Sequence, residues 1–238
     1  MIREARVFSD ASALIHAVAD EKLRIVLDAA IARGRCSICL SGGTTPKSLN
    51  ELSAAEYATR FPWKQMYFFF GDERYVSSED ERSNFRMARE TLLSRVPIPP
   101  QNVYPIPTNF ERPDDAAIAY EAELREFFGE RPEFDLTFLG VGGEGHTASL
   151  FPESPALAET KRWVVAAEVP AEPPQRITLT LPVINQSRNV FFLVTGSKKR
   201  EIVSAIRREP EGDSSVYPAA HVRAAGRVIW FLDQAAAW

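Results

Sequence analysis

The feature that most constrains the fold of this chain is a repeated order: a short apolar run, a glycine-rich or charged loop, then residues at helical spacing. Ser37 to Leu40 leads into Ser41-Gly42-Gly43-Thr44-Thr45, and Pro46 then opens a helical stretch through Leu49 and Leu52. Met66 to Phe70 ends at Gly71-Asp72-Glu73-Arg74, and Ser83 caps a helix through Phe85, Met87, Ala88 and Leu92. Phe134 to Leu139 enters the loop Gly140 to His146. Strands alternating with helices predict an α/β fold, Rossmann-like, with a largely parallel sheet covered by helices on both faces. In such sheets ligands bind beyond the carboxyl ends of the strands, where these loops converge.

The remaining elements fit that plan. Ser9 or Asp10 caps a helix that runs to Arg33 and stops at Gly34. Asp114 to Phe128 reads as an amphipathic helix ended by Gly129, and Lys198 to Arg208 as a helix behind Gly196. Ile177 to Leu181, Val190 to Val194 and Val228 to Leu232 read as strands. The proline-rich stretches Pro97 to Pro107 and Pro170 to Pro174 bring no shift in composition, so the 238 residues are expected to form one domain, residues 1–238. Cys36 and Cys39 form C-x-x-C, but on a buried strand residues three apart face opposite ways, and both are expected to serve packing.

Composition narrows the partners. A formal charge of -4 without a basic cluster argues against nucleic acid and anionic membranes. No apolar run approaches the ~20 residues of a membrane span, and the first ten residues lack the core of a secretory signal. A cytoplasmic location and a small-molecule substrate are expected, with the chain a monomer or small homo-oligomer. No H-E-x-x-H, Cys/His cluster or acidic calcium loop supports a metal. The absence of G-x-S-x-G disfavours a serine hydrolase.

Three groups of residues are candidates for chemistry. Ser41 to Pro46 has glycines that admit a ligand close to the backbone and a helix start that favours an anion, although a tight turn with a Thr cap would carry the same residues. Gly140, Gly142 and Gly145 match G-x-G-x-x-G, but Pro152 and Pro155 come too soon for the helix that a dinucleotide requires. The loop leads instead to His146, whose imidazole is largely neutral at pH 7 and able to act as a base, with Glu144 two residues earlier to orient it. Asp72, Glu73 and Arg74 form the third group, with Arg176 and Lys199 as further cations suited to a phosphate, or else as solvated strand ends.

Taken together, SGGTTP, FFGDERYV with SNFRMARETLL, LGVGGEGHTASLFP, RITLTLPVIN, FLVTGSKKR and YPAAHV resemble the 6-phosphogluconolactonases of the pentose phosphate pathway over most of the chain. The resemblance implies hydrolysis of a phosphorylated sugar lactone without a nucleotide or metal cofactor. It implies that Ser41, Gly42, Gly43, Thr44, Arg176 and Lys199 hold the 6-phosphate, that Asp72 and Arg74 line the sugar pocket, and that His146 is the base. Glu144 stands where that family usually has Asp. The related glucosamine-6-phosphate deaminases, aldose–ketose isomerases on this scaffold, carry D-E-Y where this chain has Asp72-Glu73-Arg74. A non-catalytic sugar-phosphate sensor is the other alternative, and it would need a DNA-binding segment.

Overall fold

The computed structural model describes residues 2, 4–209 and 215–238. Its main sheet has six strands: β1 (Ala5–Phe8), β2 (Cys36–Leu40), β3 (Met66–Phe70), β5 (Leu136–Leu139), β8 (Asn189–Val194) and β9 (Arg227–Asp233). All pair in parallel, in the order β1-β9-β8-β5-β2-β3. A second sheet of three antiparallel strands joins β4 (Asp72–Arg74), β7 (Gln175–Leu179) and β6 (Val164–Glu168) in that order.

The helices are α1 (Ala11–Arg33), α2 (Thr44–Ala55), α3 (Asn84–Ala88), α4 (Pro113–Phe128), α5 (Leu181–Asn185) and α6 (Arg200–Arg208). Asp10 caps α1 through the Ala13 N–H at 2.8 Å, and Gly34 ends it in the left-handed region at φ 71°. Ser83 caps α3 through the Arg86 N–H at 3.1 Å. The central strands are buried along their whole length because helices cover the sheet. Phe69 packs on Phe127 and Phe128 of α4, while its neighbour Phe70 packs on Phe85 of α3. Successive strand residues point to opposite faces, so α3 and α4 lie on opposite sides of β3.

Several expectations are revised. Asp72 to Arg74 is a strand, not a loop: after Gly71 the chain leaves the parallel sheet and pairs with β7, Arg74 opposite Arg176. The ITLTL strand ends at Leu179 and runs antiparallel, with Leu181 already opening α5. Two strands, β1 and β6, carry no sequence expectation. Cys36 and Cys39 are both buried with free thiols, as expected for packing. Among the described residues no helix is long and apolar enough to cross a membrane.

The strand order positions the site. From β2 the chain steps outward to β3 on one side, while β5, β8 and β9 build the other side. The reversal falls between β2 and β5, which are hydrogen-bonded neighbours. The two glycine-rich loops leave the carboxyl ends of these two strands, flanking the crevice where open α/β sheets bind ligands.

Candidate active site

The loop after β2 turns into α2 through Gly43, whose φ of 105° lies where only glycine is comfortable. No side chain caps α2. The first-turn N–H groups of Thr44 and Thr45 therefore keep the partial positive charge of a helix start toward the cavity. Thr45 Oγ1 is 2.8 Å from Thr195 Oγ1 at the end of β8, which ties this helix start to the neighbouring strand. Lys199 reaches across from the turn after Gly196, and its Nζ donates to the Val141 carbonyl at 2.7 Å. Two of its three donors are left for a ligand.

The loop after β5 folds back on itself: the Gly142 N–H donates to the His146 carbonyl at 2.9 Å and the Gly145 N–H to the Gly142 carbonyl at 3.1 Å. Gly145, at φ 85°, is followed by a tight turn in which Thr147 and Leu150 pair, with Ala148 at φ 49°. No helix begins there, which removes the dinucleotide reading of the three glycines. The His146 ring stacks on Phe151, and its Nδ1 lies 3.2 Å from Glu144 Oε2. That approach lies off the ring N–H direction and is a close contact rather than an aligned hydrogen bond, an ion pair only when the ring is protonated. Burial lowers the His146 pKa below its ordinary value, and the carboxylate of Glu144 only partly opposes it. The imidazole is therefore neutral at pH 7.

The charged triplet divides by role. Asp72 faces the cavity, its carboxylate accepting from Ser149 Oγ at 2.8 Å and from Asn84 Nδ2 at 3.3 Å. Glu73 points the other way, buried beneath α3, where its carboxylate accepts from the N–H groups of Arg74, Asn84 and Phe85 and from Ser83 Oγ. Arg74 lies on the cavity wall, with one guanidinium nitrogen on the Arg82 carbonyl and a buried Nε that meets no acceptor among the described residues.

These loops enclose a cavity of about 350 Å³, a volume suited to a small polar ligand. Ser41, Gly42, Gly43 and Thr44 line it together with Lys199, Asp72, Arg74 and His146. Two of the expected residues stand apart. Glu144 contacts the ligand space only through His146. Arg176 lies behind Arg74, its Nε donating to the Pro173 carbonyl at 2.7 Å and another nitrogen to that of Glu172 at 3.2 Å, and it does not line the cavity. Sequence reasoning had passed over Asn84, Ala148 and Thr195, which do line it. Thr195 is accessible from the rule that strand ends build such sites; Asn84, on the first turn of a helix, lies within the SNFRMARETLL motif but carries no role there.

Comparison with known proteins places this geometry. The family model of glucosamine-6-phosphate isomerases/6-phosphogluconolactonase matches residues 9–230. A 6-phosphogluconolactonase of Synechocystis sp. is 45% identical over 208 residues, covering 86% of this chain and 84% of its own. One from Nostoc sp. is 39% identical, covering 99% and 98% respectively. The crystal structure of 6-phosphogluconolactonase from Thermotoga maritima superposes with a TM-score of 0.84 at 29% identity, over 97% of this chain and 99% of that one. The matched span takes in the glycine loops, the charged strand and the histidine turn, and the chain belongs to the glucosamine-6-phosphate isomerase/6-phosphogluconolactonase family.

Proposed function

We propose that the chain hydrolyses 6-phospho-D-glucono-1,5-lactone to 6-phospho-D-gluconate, with His146 as general base. The observation that carries this reading is the pairing, within one cavity, of an uncapped helix start and Lys199 with a neutral histidine. The substrate's dianionic 6-phosphate is held by the N–H groups at the start of α2, the Ser41 and Thr44 hydroxyls and Lys199. Arg176, held on backbone carbonyls, adds positive field from behind Arg74. Asp72 accepts a hydrogen bond from a sugar hydroxyl.

With its proton on Nδ1, the nitrogen nearer Glu144, neutral His146 uses its other ring nitrogen to take a proton from water as the water oxygen attacks the lactone carbonyl carbon. The carbonyl oxygen becomes an oxyanion, and backbone N–H groups of the glycine loops or the Arg74 guanidinium, both on the cavity lining, supply donors for it. Collapse of the tetrahedral intermediate breaks the bond to the ring oxygen. That oxygen takes the proton back from imidazolium, leaving a carboxylic acid that ionises at neutral pH. The ester is activated, so base catalysis with oxyanion stabilisation suffices and no covalent intermediate is needed.

The test is to generate 6-phosphogluconolactone in situ and follow 6-phosphogluconate against the spontaneous rate. Acceleration by the purified protein, reduced roughly 10²- to 10⁴-fold in His146→Gln, is the expected result. No acceleration overturns the reading, and ammonia release from glucosamine 6-phosphate would replace it with deamination.

A further inference from the structure

Asp72 is held from two directions by residues outside its own strand. From α3, Asn84 donates through Nδ2 to the Asp72 carbonyl at 3.0 Å and to its carboxylate at 3.3 Å. From the turn after His146, the Ser149 hydroxyl donates to the other carboxylate oxygen at 2.8 Å. Both donors are buried, at 3% and 1% exposure, so neither contact is diluted by water.

Each donor is itself fixed. The Asn84 backbone N–H is locked at 2.7 Å by the buried carboxylate of Glu73, and its side chain is wedged against Gly42, where a Cβ would come within 2.0 Å of Oδ1. The Ser149 N–H donates to Thr178 Oγ1 at 3.3 Å. The same tight turn holds Ala148 in the left-handed region. The loop after β2, the strand β4 and the histidine turn thus meet at a single carboxylate.

Resting on the lactonase reading above, we infer that Asn84 and Ser149 are positioning residues that act through Asp72, fixing which way its carboxylate meets the sugar. Two bonds fix the carboxylate plane, and the remaining lone pairs face the cavity to accept from a hydroxyl of the ring. The pairing also explains why Glu73, which looks in the sequence like a member of the site, is buried beneath α3. It holds Asn84, and Asn84 holds Asp72. The charged and titratable groups around Asp72 are Glu73 beside it, Arg74 and Arg176 in the second sheet, His146 on the loop after β5, and the Cys39 thiol on β2.

The experiment is a pair of double-mutant cycles read in kcat and KM for the phosphorylated lactone. Asn84→Ala and Ser149→Ala are each made in the wild-type chain and in Asp72→Asn, with melting temperature followed in every variant. In the wild-type background each is expected to lower kcat roughly 10- to 100-fold, the range for losing a hydrogen bond to a charged group. KM, set by the phosphate contacts, should change less than about 3-fold. In the Asp72→Asn background the same substitutions should cost less than about 2-fold, because the group they act through is already lost.

Additive losses, or wild-type kcat in both single variants, overturn the inference. If Asn84→Ala fails to fold, the Ser149→Ala cycle, which removes only a hydroxyl, decides it alone. A wild-type chain that does not accelerate the lactone is a different result, and it overturns the proposed function instead.

Discussion

The phenyl ring of Phe151 lies flat on the imidazole of His146, with centroids 3.9 Å apart and planes 18° apart. It shields one ring face from water, and this desolvation is the largest influence lowering the histidine's pKa, against Glu144 acting in the opposite sense. The acid limb of kcat/KM should therefore fall below pH 6.5. Phe151→Ala readmits water, stabilises imidazolium and should move that limb to higher pH. Glu144→Gln removes a charge that favours imidazolium and should move it lower. Shifts of the same sign in a pH–rate profile would show that another group controls the limb.

A methyl at Gly142 would sit 2.1 Å from His146 Nδ1 and 2.2 Å from Cε1, so Gly142→Ala must push the ring aside. A base displaced by about an ångström loses on the order of 10² in rate. The expected outcome is a fall in kcat of that size, with KM for the lactone close to wild type. Steady-state kinetics check it; an unchanged kcat would mean that the ring position is not set by this contact.

The parallel core was legible because its strands are short apolar runs punctuated by Gly, Pro and helix caps such as Asp10 and Ser83. The second sheet was not. β4 spans three charged residues, and nothing in Asp72-Glu73-Arg74 announces pairing with β7; the change of partner falls at Gly71, whose N–H still donates to the Leu40 carbonyl while its own carbonyl accepts from the Leu179 N–H. β1 and β6 escaped because Arg6 and Glu168 interrupt or end runs that are half-exposed rather than fully buried. In the site, His146 and the loop from Ser41 were readable from their own residue types. The opposite fates of Asp72 and Glu73 depend on strand alternation: neighbours in a strand face opposite ways, so one meets the cavity and the other meets α3.

Lys199 and Arg176 separate two kinds of positive charge. Lys199 lines the cavity with donors to spare, while Arg176 is engaged by the carbonyls of Glu172 and Pro173. Lys199→Met should raise KM for the 6-phosphorylated lactone by roughly 10- to 100-fold, as expected for one charge-assisted contact. The same change should barely affect a phosphate-free gluconolactone. Arg176→Ala should raise KM less, and also lower the melting temperature by loosening residues 172–174. A larger KM effect from Arg176 than from Lys199 would restore Arg176 as a direct phosphate ligand.

Lys22 of α1 is fully buried, with its Nζ 3.1 Å from Ser53 Oγ and 4.8 Å from the centre of the Phe61 ring. Burial brings its pKa down to about 7, and the Cys36 thiol is the group that opposes the shift. The unfolded chain, with an ordinary lysine near 10.5, binds this proton across the interval from about pH 7 to 10.5, whereas the folded chain does not. The unfolded state holds more protons there, so this group makes stability rise with pH through that window. Below pH 7 the folded chain carries a buried ammonium that, among the described residues, has a hydroxyl and an aromatic face to solvate it and no carboxylate paired with it. Lys22→Met keeps the length of the side chain and removes the titration. It should stabilise the fold by a few kcal/mol at about pH 6, with the gain shrinking toward about pH 10. Urea unfolding of both proteins at about pH 6, 8 and 10 measures this, and a constant difference across the three would rule out Lys22 as the source of the pH dependence.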